Sequence, residues 1–142
     1  ILIFDPKKKI IAALHAGWKG AYKKIAYKTV NNLKKSGCNV HDLIVVIGPC
    51  ISKYKYEVKK DFLKKFIHQN KKNKFYFNFN KKKIFFNLNE YIKNQFKEIG
   101  VKNIEIINKD TYMRKNNFFS YRRSLKNKYY DYGRNISVIM IK

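Results

Sequence analysis

"ILIFDPKKKIIAALHAGWKG", residues 1–20, decides how the chain begins to fold. Two apolar runs, Ile1–Phe4 and Ile10–Leu14, flank Asp5-Pro6 and three lysines. Proline presets φ for a tight reversal and Asp opens turns, so the stretch reads as strand, turn, strand. The second run ends at His15, and Gly17 and Gly20 let the chain turn into a helix. A histidine at a strand end beside such a turn can project into a cleft as a metal ligand or base; a buried, hydrogen-bonded histidine fits the same pattern. Trp18 reads as packing the helix start.

Working outward, residues 19–35 carry Ala21, Ile25, Ala26, Val30 and Leu33 at near i, i+4 spacing, which predicts one amphipathic helix closed by Ser36-Gly37. Leu43–Ile47 is a β-branched run stopped by Gly48-Pro49, hence a buried strand. Val58, Phe62 and Phe66 predict a second helix, and the aromatics of residues 71–86 a short strand or hairpin. Asn87 and Glu90 resemble an N-cap and its capping-box partner. Leu88, Tyr91, Ile92, Gln95, Phe96 and Ile99 then give a third helix, closed by Gly100. Residues 101–108 and 136–142 read as strands. Helices and strands alternating after an opening hairpin predict an α+β fold, a single domain with a mixed β-sheet and flanking helices.

The 142 residues carry 33 basic and 9 acidic side chains, a net charge of +24, which raises a polyanion as partner. Yet only Arg114, Arg122, Arg123 and Arg134 are arginine, the side chain suited to bidentate base and phosphate contacts. Lysine, asparagine, isoleucine, phenylalanine and tyrosine are inflated together, as adenine- and thymine-rich codons produce. Codon bias therefore accounts for the charge, and a nucleic-acid module is disfavoured: no helix-turn-helix, zinc-finger or RNP-like pattern is present. Cys38 and Cys50 make no disulfide framework, no apolar run spans a membrane and no signal peptide is visible, so a reduced cytoplasmic protein is expected.

Two further blocks can carry chemistry. "GPCI", residues 48–51, places Cys50 at a strand end, either as a nucleophile or ligand or as a small buried apolar residue. Glu57, just beyond, reads as facing a cation or water. "FFSYRRSLKNKYYDYGR", residues 118–134, holds Arg122, Arg123 and Arg134, a set suited to an anion such as phosphate or to a salt-bridged loop. His41 and His68 have polar neighbours and read as surface residues.

Taken in order, "FDPKKKIIAALHAGWKG", "VVIGPCISKYKYEV", "FNLNEYIKNQFKEIGVKNI", "DTYMRKNNFFSYRR" and "GR" resemble the YfiH, or laccase-domain, family, whose members are also called polyphenol oxidase family proteins and purine nucleoside phosphorylases. The resemblance runs from Ile1 to the end, and residues 1–142 are expected to be the C-terminal part of one YfiH-like domain. It implies a zinc site of two histidines and a cysteine, with His15 as one ligand and the others upstream of Ile1. It also implies phosphorolysis of adenosine, inosine or methylthioadenosine, together with deamination of adenosine. Purine nucleosides and phosphate are then the partners, with Arg122, Arg123 and Lys19 as catalytic cations and Cys50 and Arg134 as substrate-binding residues. Copper-dependent phenol oxidation and hydrolytic editing of peptidoglycan precursors are alternatives within the same family. The family often has arginine at the position of Lys19, Cys-Thr at Asp110-Thr111, and glycine at Ser52.

Overall fold

The structure, a computed structural model, describes residues 1–129 and 132–142. It is α+β with a mixed sheet, and the chain forms two compact units.

The first unit comprises residues 1–48, 88–107 and 137–142. Strands β1 (Leu2–Asp5) and β2 (Ile10–Ala13) pair antiparallel, with Leu2 opposite Ala13 and Asp5 opposite Ile10. Strand β3 (Ile44–Ile47) adds antiparallel to β1, and β7 (Asn103–Ile106) adds parallel to β3, giving the order β2-β1-β3-β7. The Asp5-Pro6 turn forms as the sequence predicts. Asp5 Oδ1 accepts from the amides of Lys7 at 2.9 Å and Lys8 at 3.0 Å, so the carboxylate closes the turn it opens.

Residues 19–35 do not form one helix. A short α1 (Trp18–Tyr22) is followed by α2 (Ile25–Lys35), broken at Lys24, which takes a left-handed φ of 57°. Periodicity misses the break because the apolar positions stay nearly in phase across it. The buried Gln95 side chain also donates to the Ala21 carbonyl at 2.8 Å, so the end of α1 is tied to α4 (Leu88–Ile99) by a side chain far away in sequence. Ala26, Val30 and Leu33 of α2 and Ile92 and Phe96 of α4 are buried where these helices pack. Each large side chain so buried contributes roughly 1.5–3 kcal/mol.

The second unit comprises residues 49–87 and 108–136. A three-stranded antiparallel sheet of order β4-β6-β5 is built from β4 (Glu57–Val58), β5 (Phe77–Asn80) and β6 (Lys83–Phe86). The helix marked by Phe62 and Phe66 is α3 (Lys60–Gln69); Val58 lies before it, in β4. An aromatic cluster fills this unit: the Phe66 and Phe86 rings lie 4.9 Å apart, Phe77 and Phe86 4.9 Å, and Phe62 and Phe66 4.7 Å.

Two readings are corrected. Residues 136–142 form no strand: Ile136 is 87% exposed, Val138 70% and Met140 73%. β propensity acts through a ladder partner and burial, and this segment has neither among the described residues. The arginine block, for which a salt-bridged loop is the alternative to an anion site, contains the helix α5 (Tyr121–Lys126), capped by Ser120, whose side chain accepts from the Arg123 amide. Tyr130 and Asp131 of that block lie outside the described residues.

Candidate functional site

In the first unit His15 is exposed two residues beyond β2. Leu14 still pairs with Ile1 through reciprocal main-chain bonds of 2.9 Å, so the sheet holds the chain up to the histidine. A Cβ at Gly17 would lie 3.0 Å from His15 Nε2, so glycine there leaves room for the ring. At Gly20 it would lie 3.5 Å from the His15 carbonyl, an ordinary contact. Lys19 is exposed on α1, its Nζ 5.8 Å from the Trp18 ring centroid. His41 and His68 are exposed, as the sequence predicts. Among the described residues no three His, Cys, Asp or Glu side chains converge as a metal site. His15 alone does not fit the zinc that the resemblance implies.

The second unit gathers Cys50, Arg122, Arg123 and Arg134. Arg123 is engaged with main chain: Nη1 donates to the carbonyls of Thr111 and Tyr112, both at 3.0 Å, and Nη2 to Phe118 at 2.6 Å. Arg122 is held more lightly. Its Nη1 donates to the Glu57 carbonyl at 3.1 Å, and its guanidinium carbon lies 5.3 Å from the Tyr56 ring centroid. The Glu57 carboxylate meets Lys83 Nζ at 2.9 Å, so the cation expected near Glu57 is a lysine of β6. Arg134 is exposed, stacks 4.0 Å over the Tyr132 ring and donates to the Tyr132 carbonyl at 2.8 Å.

Cys50 is half-buried; its Sγ donates to the Ile51 carbonyl at 3.2 Å. Both cysteines are thiols. Tyr56 is buried, with the Arg122 guanidinium over its ring. Burial pushes its hydroxyl pKa up, as does Cys50, while Arg122 opposes both by charge and by hydrogen bond. Sequence reasoning quoted Tyr56 within a motif but gave it no role, and it gave none to Asp110 or Ser52. Asp110 Oδ2 accepts from Ser52 Oγ at 2.7 Å, and its Oδ1 accepts from the amides of Ser52 at 3.2 Å and Tyr112 at 2.8 Å. The signal was an acidic residue in a chain with only nine, but its partner is 58 residues away in sequence.

The first unit thus holds an imidazole just beyond a strand end, and the second an arginine-bearing helix, within an α+β fold with a mixed sheet. The chain matches the family described as "Multi-copper polyphenol oxidoreductase laccase" over residues 1–142, and it belongs to that laccase-domain family. It is 35% identical over 126 residues to a protein named purine nucleoside phosphorylase from Rickettsia conorii, covering 87% of this chain and 52% of that protein. A Rickettsia prowazekii protein of the same name is 32% identical over the same shares. Among solved structures, the Bacillus licheniformis hypothetical protein YfiH superposes with a TM-score of 0.79 at 28% identity, covering 87% of this chain and 48% of that one. A Neisseria meningitidis protein gives 0.76 at 26% identity, over 86% and 50%. The chain spans about half the length of the curated relatives it matches. No helix among the described residues is long and apolar enough to cross a membrane.

Proposed function

We propose that the whole protein is a purine nucleoside phosphorylase, with these 142 residues forming the C-terminal part of one laccase-type domain. The observation that carries this reading is the 35% identity to a protein named purine nucleoside phosphorylase over 87% of the chain. In phosphorolysis a phosphate oxygen bonds to ribose C1′, the C1′–N9 bond breaks, and its electron pair leaves with the purine, which takes up a proton. The attacking phosphate is anionic, so a cation must neutralise it as it approaches the sugar.

Arg122 suits that task better than Arg123, because three main-chain carbonyls already occupy the Arg123 guanidinium. Lys19 of the first unit keeps the cationic role that the family resemblance implies, and Cys50 and Arg134 of the second are assigned to the nucleoside side. Deamination of adenosine, in which water replaces the 6-amino group and ammonia leaves, is proposed as a companion activity. The test is full-length protein incubated with adenosine or inosine, with and without phosphate, followed by chromatography. Free base and ribose 1-phosphate should form only when phosphate is present. Free base appearing equally without phosphate would mean hydrolysis and overturn the reading.

Zinc, in this proposal, depends on ligands beyond His15. Catalytic zinc ordinarily takes three protein ligands. The 142-residue chain alone should therefore retain well under one zinc per chain after dialysis, measured by elemental analysis. One tightly bound zinc per chain would overturn that expectation. The family's description favours one second reading, copper-dependent phenol oxidation. His and Cys ligands suit copper as well as zinc, so metal analysis of full-length protein purified without added metal separates the two.

A further inference from the structure

The Pro49–Ser52 segment, which follows β3, is held from outside itself. Ser52 gives both its amide and its hydroxyl to the Asp110 carboxylate, at 3.2 and 2.7 Å. The same carboxylate takes the Tyr112 amide at 2.8 Å, and the Asp110 carbonyl takes Asn116 Nδ2 at 2.8 Å. At Cys50 itself the main chains meet. Cys50 and Asp110 form a parallel bridge, and Thr111 donates its amide to the Cys50 carbonyl at 3.0 Å. Arg123 then fixes the carbonyls of Thr111 and Tyr112, both at 3.0 Å. The segment 110–112 is thus gripped by a carboxylate acting on amides and a guanidinium acting on carbonyls.

An isolated β-bridge is a weak restraint on an irregular segment. The two bonds from Ser52 turn it into a three-point attachment around a half-buried thiol. Charge-assisted bonds are shorter and stronger than neutral ones, which suits a group that must hold an irregular backbone still. We infer that Asp110, acting with Ser52, is a positioning residue that fixes the segment carrying the Cys50 thiol. Its importance for turnover rests on the reading of Cys50 as a nucleoside-side residue; the clamp itself does not.

The test uses full-length protein and its Asp110→Ala, Asp110→Asn and Ser52→Ala variants. Alkylation of Cys50 by N-ethylmaleimide is timed by peptide mass spectrometry. The buried Cys38 thiol is read in the same digests as a gauge of global opening. Local release should speed Cys50 labelling by about threefold or more in Asp110→Ala, less in Ser52→Ala, with Cys38 unchanged. Asn retains an acceptor oxygen, and its amide can donate to the Ser52 hydroxyl, so Asp110→Asn should stay within about twofold of the parent. Parent-like Cys50 labelling in both Asp110→Ala and Ser52→Ala overturns the inference, as does a parallel rise at Cys38. If Asp110→Ala does not fold, Ser52→Ala decides alone. Nucleoside KM is measured alongside. Faster labelling with an unchanged KM upholds the clamp and removes Cys50 from the substrate site.

Discussion

On α5, Arg123 turns its guanidinium toward three main-chain carbonyls, while its neighbour Arg122 lies over Tyr56 and donates to the Glu57 carbonyl. The sequence offers two identical side chains; only the fold separates a brace from an available cation. Arg123→Ala should lower stability by about 1–3 kcal/mol in urea unfolding, since it strips charge-assisted donors from partly buried carbonyls. Lysine should not restore it, because the planar fork is lost. Arg122→Ala should change stability by less than about 1 kcal/mol while raising the phosphate KM of the full-length enzyme. Equal stability losses in the two variants, or an unmoved phosphate KM in Arg122→Ala, would contradict the division. Asp5 is a second case. Asp5 is 1% exposed, no N–H or O–H among the described residues reaches its Oδ2, and the Cys38 thiol is a weak partner of the carboxylate. Burial pushes the carboxyl pKa up, but the Lys8 amide, the Cys38 thiol, the Lys7 amide and the Lys8 charge outweigh it, and the net shift is downward. A depressed folded pKa means stability that is present above the ordinary carboxylate value of about 3.9 and is lost as pH falls through the lower folded value. Asp5→Asn should therefore be less stable than the parent at pH 7, and the gap should narrow below about pH 4. A gap that is constant from pH 7 to pH 3 would show that the carboxylate charge contributes nothing.

At the scale of elements, the β5–β6 hairpin joins Asn80 to its partner Lys83 through Lys81 and Lys82, with Lys81 at φ 53°. Two-residue hairpin turns need left-handed residues and favour glycine or asparagine there. Lys81→Gly should stabilise the second unit by about 1 kcal/mol, read as a higher urea midpoint, because a lysine is strained in that conformation. A lower midpoint would mean the extra freedom of glycine in the unfolded chain outweighs the strain relieved. The hairpin itself was legible, since aromatics alternate between lysine clusters, as was the opening turn at Asp5-Pro6. The break at Lys24 was not, because nothing in the local residues demands φ > 0; it emerges with the long-range bond from Gln95 to Ala21. Residues 136–142 show the opposite failure: a strong β pattern without a ladder. The site divides in the same way. His15 beside Gly17 was readable because a glycine two residues after a histidine is a local signal. The Ser52–Asp110 pair was noticed only as two separate departures from a family pattern, since no local rule links residues 58 apart.

For the molecule as a whole, the question is what a net charge of +24 does to stability and to partners. Lys7 meets Asp42 and Lys83 meets Glu57, both at 2.9 Å, yet nine acidic residues cannot neutralise 33 basic ones. Like charges crowded on a compact body repel, and repulsion weakens as the chain expands, so charge favours the unfolded state. Salt acts on this directly: the Debye length is about 10 Å at 0.1 M and about 3 Å at 1 M. Exposed ion pairs are weak and lose strength under the same screening. The two effects have opposite signs, and 33 basic side chains against 9 acidic ones make repulsion the larger. Urea unfolding should therefore show a higher midpoint in 0.5 M than in 0.05 M sodium chloride, by on the order of 1 kcal/mol in stability. Chloride is the suitable anion, because sulfate and phosphate also strengthen apolar burial and would blur the cause. The same charge should draw DNA or RNA at low salt with little sequence preference, in binding that collapses over that salt range, as counterion release requires. A midpoint that falls with added salt would show that attractive pairs dominate. Sequence-selective binding that survives 0.5 M salt would make the charge a recognition surface rather than a consequence of codon usage.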